Sequence, residues 1–245
     1  MTHPAKVDFV VAGVQKSGTQ ALRHFLMAHP GIGLSTEIEP HYFDRDYPRD
    51  PPGSYAAYHA KFSPEALGKC TGDITPVYSY LEDCAGRMAA YNPDFKVMLV
   101  LRQPADRAYS QYAMEDERGL MKGSFLREVL MEPIYYLRFG QHRWHSLVAR
   151  GFYARQIERL WRYFPRDRVL VLLHEDLSND HAATLRRIYR FLGVEQIDPP
   201  EPERIHVRSY APMSRPARWL LRLVYARDTR RLEKMLGRDL SAWRR

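Results

Sequence analysis

One stretch constrains the fold more than any other: V-D-F-V-V-A-G-V-Q-K-S-G-T-Q-A-L-R-H-F-L-M-A-H-P, from Val7 to Pro30. Val7, Phe9, Val10 and Val11 form a β-branched and aromatic run suited to a buried strand. Gly13 ends that run. From Ser17, Gly18 and Thr19 a helical pattern opens, in which Leu22, Phe25 and Leu26 recur at helical spacing. A strand that feeds a glycine-containing loop and a helix N-terminus favours an anion, because the first-turn amides lack intrahelical partners and the helix dipole points the same way. Lys16 adds a cation there, and Ser17 and Thr19 add hydroxyl donors. The segment reads as a holder for a phosphate-like group.

The order of residues narrows the ligand. A nucleoside-triphosphatase loop needs G-x-x-x-x-G-K-[ST], with lysine after the second glycine. Here the lysine precedes it, in Gly13-Val14-Gln15-Lys16-Ser17-Gly18-Thr19, and no G-x-G-x-x-G fingerprint occurs. A second apolar run, Phe95 to Leu101, ends at Arg102 and is followed by Gln103-Pro104. Proline suits a first helical turn, so Arg102 falls at a strand's carboxyl end and Ser110 about two turns into the next helix. Ligands of open α/β sheets bind beyond the carboxyl ends of strands, which brings Arg102, Ser110 and Lys16 to one expected cleft.

These segments resemble those of sulfotransferases that use 3′-phosphoadenosine 5′-phosphosulfate (PAPS). The loop resembles their 5′-phosphosulfate loop, and Leu101-Arg102-Gln103-Pro104-Ala105-Asp106-Arg107-Ala108-Tyr109-Ser110 resembles their 3′-phosphate motif. Glu39-Pro40-His41-Tyr42-Phe43-Asp44 is similar to the E-x-H-F-F-D segment of the heparan-sulfate type, and Gly72-Asp73-Ile74-Thr75-Pro76-Val77-Tyr78 to its E-K-T-P-x-Y segment. Gly151-Phe152-Tyr153, with a helix through Trp161, resembles the stretch before the last core strand. The likeness runs from about Val7 to Gly193. It implies that Gln15, Lys16, Ser17, Gly18, Thr19 and Gln20 hold the phosphosulfate. It also implies that Arg102 and Ser110 hold the 3′-phosphate, with adenosine 3′,5′-bisphosphate as the product. Arg107 is left for helix-surface or structural pairing.

Sulfuryl transfer, like phosphoryl transfer, depends mainly on positioning and charge stabilisation. Lys16 is the expected catalytic cation, neutralising the oxygen that leaves with the 5′-phosphate. A base must take the acceptor's proton. The resemblance favours Glu39, with His41 as competitor because imidazole titrates near neutrality. No metal is expected, because the ten histidines are scattered without metal-ligand spacing. The chain also departs from the family pattern. Ile74 stands where many relatives carry lysine, and the usual K-G-containing closing loop is replaced by a segment in which Arg208 or Arg215 could close over the cofactor.

The 245 residues suffice for one large α/β domain spanning 1–245, with a core over about 7–193 and a C-terminal helical part over about 205–245. Strand-like runs at 7–12, 95–101 and 168–173, with a short one at 31–35, alternate with helices. That pattern predicts a mainly parallel central sheet flanked by helices, with a P-loop-like turn. Asp44 to Gly53 reads as a surface loop near the cleft, and Asp198 to Arg204 as the loop before the C-terminal part. Two cysteines, no secretory h-region after Met1 and no apolar run of about 20 residues point to the cytoplasm. Since animal members of the family it resembles usually carry a membrane anchor, the resemblance implies a soluble, bacterial-type enzyme.

The expected partner is a glycan or other small-molecule acceptor. The formal charge of +8 is spread along the chain without a nucleic-acid motif, so a nucleic-acid binder is the lesser alternative, and a nucleotide kinase or NTPase is the rival enzyme class. In the tail, Leu232, Met235, Leu236, Leu240 and Trp243 read as one helical face among basic residues. That helix is expected to pack on the core with a solvated basic face, and peripheral membrane contact is its lesser alternative.

Overall fold

The computed structural model describes residues 6–44, 54–142, 144–203 and 211–244. Five strands, β1 (Phe9–Gly13), β2 (Ile32–Leu34), β3 (Cys70–Ile74), β4 (Lys96–Leu101) and β5 (Val169–Leu173), form one sheet in the order β2-β3-β1-β4-β5. β1 pairs in parallel with β3 and β4, and β2 in parallel with β3. Every residue of β1 and of β5 is buried, as a parallel sheet covered on both faces requires. The helices are α1 (Thr19–Met27), α2 (Ala56–His59), α3 (Pro64–Leu67), α4 (Cys84–Tyr91), α5 (Pro104–Glu117), α6 (Phe125–Phe139), α7 (Tyr153–Trp161), α8 (His174–Asn179), α9 (His181–Leu192) and α10 (Arg215–Leu236).

The expected parallel α/β sheet flanked by helices is the fold observed. One strand escaped the sequence reading. β3 is C-T-G-D-I, with one large apolar residue, and its buried Thr71 and Asp73 are polar. Its glycine is a packing requirement, because a Cβ at Gly72 would lie 2.0 Å from Phe9 Cζ on the neighbouring strand.

The chain groups into two compact units, residues 1–100 with 159–206, and residues 101–158 with 207–245. The first holds the sheet. Leu22, Phe25 and Leu26 of α1 and Leu185, Ile188, Tyr189 and Leu192 of α9 pack with Phe9, Val11, Met98 and Leu172 in its core. Each such side chain contributes about 1.5–3 kcal/mol on burial. Ile74 belongs to the same core, so the position where relatives carry lysine is here an apolar packing residue.

In the second unit Ala105 and Ala108 of α5, Phe125 and Val129 of α6, and Ala217, Leu221 and Tyr225 of α10 share a core. Further along, α10 buries Leu232 and exposes Arg227, Arg230 and Lys234. The tail is not one helix, however. α10 stops at Gly237, whose φ of 62° is left-handed; Leu240 is buried beyond it, and Trp243 is buried from a separate turn, Ser241–Arg244.

Candidate active site

The loop between β1 and α1 is tied to the sheet at Val14, whose amide donates to Val100 O at 3.0 Å. Lys16 (φ 71°) and Gly18 (φ 88°) both take left-handed backbone, and Gly18 is the N-cap of α1 with no side-chain cap. The first helical bond runs from Leu22 N to Gly18 O at 2.9 Å, which leaves the amides of Thr19, Gln20 and Ala21 without intrahelical acceptors. The Ser17 Oγ is fully buried and has no hydrogen-bond partner among the described residues. A buried hydroxyl left this way costs about 1–3 kcal/mol, so the position calls for a ligand oxygen. His174, the first residue of α8, braces the loop: its Nδ1 lies 3.2 Å from Ser17 O and would stand 3.1 Å from a Cβ at Gly18.

Glu39, His41 and Asp44 come together in the loop after β2. His41 Nδ1 is 2.7 Å from Asp44 Oδ2, and His41 Nε2 is 3.1 Å from Glu39 Oε2. The hydrogen bond to Asp44, then that to Glu39, push the His41 pKa up to about 9 against the opposing effect of burial. His41 is therefore a cation at neutral pH.

The loop is anchored from below. Tyr78 Oη accepts from Tyr42 N at 2.8 Å and donates to Asp73 Oδ2 at 3.1 Å. Asp73 also accepts from Thr75 Oγ1 at 2.6 Å and from Tyr58 Oη at 3.0 Å, yet burial still raises its pKa to about 6. Thr75 N and Ser79 N donate to Val11 O and Ala12 O at 3.2 and 2.8 Å, which fixes this support beside the carboxyl end of β1. Asp44 and Tyr78 lie inside the two quoted phrases. Their supporting roles depend on contacts across 3 and 36 residues that spacing does not reveal.

Arg102 follows β4 directly. α5 begins with Pro104 as its first residue and Gln103 as N-cap, whose Oε1 accepts from Asp106 N at 2.7 Å. Ser110 is buried on α5. Arg107 is not on the surface: it is fully buried, donates to Gln111 Oε1 at 2.8 Å and reaches Leu147 O, so its role is structural pairing within the second unit. Arg215 is exposed at the start of α10, and Arg208 lies outside the described residues. Among the described residues no three His, Cys, Asp or Glu side chains are grouped to hold a metal ion, and no helix is long and apolar enough to cross a membrane.

Residues 6–215 match the family model described as a sulfotransferase domain. Over 189 residues, 77% of this chain, the sequence is 33% identical to the mouse heparan sulfate glucosamine 3-O-sulfotransferase 3B1. Over 194 residues it is 30% identical to the human bifunctional heparan sulfate N-deacetylase/N-sulfotransferase 3. The matched parts span 46% and 22% of those relatives' own lengths. The crystal structure of a sulfotransferase from Alicyclobacillus acidocaldarius superimposes with a TM-score of 0.79 at 28% identity, covering all of both chains. The turn after β1, the Glu39 loop and the Arg102 motif thus lie inside a matched domain, and the chain belongs to the sulfotransferase family.

Proposed function

We propose that this chain transfers a sulfuryl group from PAPS to a hydroxyl or amine of a carbohydrate-like acceptor, in the cytoplasm. The observation that carries the reading is the β1–α1 turn, where a buried, unpartnered Ser17 Oγ, the open amides of α1 and Lys16 form a donor set for an anionic group. Bound there, PAPS supplies an activated sulfuryl group whose bridging oxygen leaves with the 5′-phosphate. Lys16 and the loop amides balance charge at that oxygen, with Gln15, Thr19 and Gln20 completing the cradle. Arg102 and Ser110 take the 3′-phosphate. Either Arg208, outside the described residues, or Arg215 supplies the positive charge that closes over the cofactor.

Glu39 takes the acceptor's proton. His41, protonated through neutral pH, cannot accept it. Instead it holds Glu39 Oε2 and leaves Oε1 for the acceptor. The acceptor class rests on the likeness to heparan sulfate enzymes, and the compartment on the thiols of Cys70 and Cys84, both free.

A transfer assay with isotopically labelled PAPS and a panel of glycans and small hydroxyl or amine acceptors tests the activity. In that assay Glu39→Gln should keep PAPS affinity while kcat falls by about 10²–10⁴, the usual worth of a general base. His41→Ala should cost less. A dead His41→Ala beside a nearly normal Glu39→Gln would hand the base role to the histidine.

A further inference from the structure

Arg102 stands at the junction between β4 and α5. β4 ends at Leu101, and the first bond of α5 is accepted one residue later, by Gln103 O from Arg107 N at 2.9 Å. The Arg102 carbonyl accepts from a side chain of another helix. Tyr153, the first residue of α7, donates from its Oη to Arg102 O at 2.8 Å.

The donor is itself fixed. Tyr153 is buried, its amide donates to Asp228 Oδ2 of α10 at 2.9 Å, and Trp243 lies edge-on to its ring at 6.1 Å. Burial holds the phenol well above its ordinary pKa, so it remains a donor at any working pH. We infer that Tyr153 is a positioning residue for the 3′-phosphate: its hydroxyl orients the peptide from which the Arg102 side chain departs, and so sets how well the site distinguishes a 3′-phosphorylated nucleotide from one without that group. The inference rests on the reading of Arg102 as the 3′-phosphate ligand.

Both ends of this contact belong to the second unit. A phenylalanine would pack the same cavity and keep the α7 amide bonds to Asp228. Only the bond to Arg102 O would be lost.

Calorimetry with adenosine 3′,5′-bisphosphate and with adenosine 5′-monophosphate tests this, the monophosphate serving as the control for an intact fold and an intact 5′ site. Tyr153→Phe should weaken the bisphosphate by about three- to tenfold, the scale of one neutral hydrogen bond, and leave the monophosphate unchanged. In an Arg102→Ala background the same change should add less than about twofold, because coupled residues do not add. Equal weakening of both ligands would show a merely structural role and overturn the inference. Unchanged bisphosphate affinity in Tyr153→Phe, while Arg102→Ala loses it, overturns the inference alone. Unchanged affinity in both variants overturns the assignment of Arg102 as well.

Discussion

The β1–α1 and β4–α5 turns share a plan, a buried apolar strand running straight into a helix, yet their helix N-termini are finished in opposite ways. α1 begins from a left-handed glycine, has no side-chain cap and carries no acidic residue in its first turn. α5 begins from Gln103, whose side chain takes the Asp106 amide, and Asp106 itself puts a carboxylate in the first turn. An anion is therefore welcome at the first N-terminus and opposed at the second. Under the proposed function the difference would divide the labour of holding a nucleotide with two anionic ends. In the proposed reading the backbone and Lys16 serve the anion at α1, whereas around α5 that role is assigned to the side chains of Arg102 and Ser110.

That contrast can be broken at either turn. Of the residues at these two turns, Lys16 carries the largest effect. Lys16→Ala should lower kcat by about 10²–10³, the range for one preorganised charge-stabilising group. Its effect on binding of the bisphosphate, which lacks the sulfuryl group, should be smaller. If binding of product fell as steeply as kcat, Lys16 would be a uniform anchor rather than a leaving-group cation. Arg102→Ala comes next and should weaken adenosine 3′,5′-bisphosphate by about 1.5–3 kcal/mol, the worth of a charged hydrogen bond. Unchanged affinity in a folded variant would remove Arg102 from the site.

The smallest effect sharpens the comparison from the other side. Gln103→Ala removes a cap and should cost about 0.5–2 kcal/mol of stability in a denaturant titration, with nucleotide affinity unchanged. A matching loss of affinity would mean that the α5 N-terminus binds the anion after all.

Much of this was legible in the sequence because it depends on neighbours along the chain. The run Phe9 to Gly13 could only be a buried strand, and Lys16, Ser17 and Gly18 follow it too closely to lie elsewhere than at its end. Arg102 was placed by the same logic. What escaped depends on distant partners. β3 was hidden because its inward residues, Thr71 and Asp73, are satisfied by hydrogen bonds rather than by apolar packing. The cationic state of His41 follows from being held between two carboxylates at once, which the phrase E-P-H-Y-F-D contains but does not orient. The tail read as one amphipathic helix because its apolar spacing continues past Gly237, while the backbone turns there. Tyr153 gave no sign of its link to Arg102, 51 residues away.

The most direct test of the central claim is a competition between nucleotides on the unmodified protein. Adenosine 3′,5′-bisphosphate and ADP are titrated by calorimetry, each with EDTA and again with Mg²⁺. The proposed assignment of Lys16 and the α1 amides to the 5′ end of the nucleotide and of Arg102 to its 3′-phosphate predicts that the bisphosphate binds about tenfold or more tightly than ADP, a margin of about 1.4 kcal/mol, with or without the ion. Tighter binding of ADP that appears only with Mg²⁺ would contradict the sulfotransferase reading and point to phosphoryl chemistry instead.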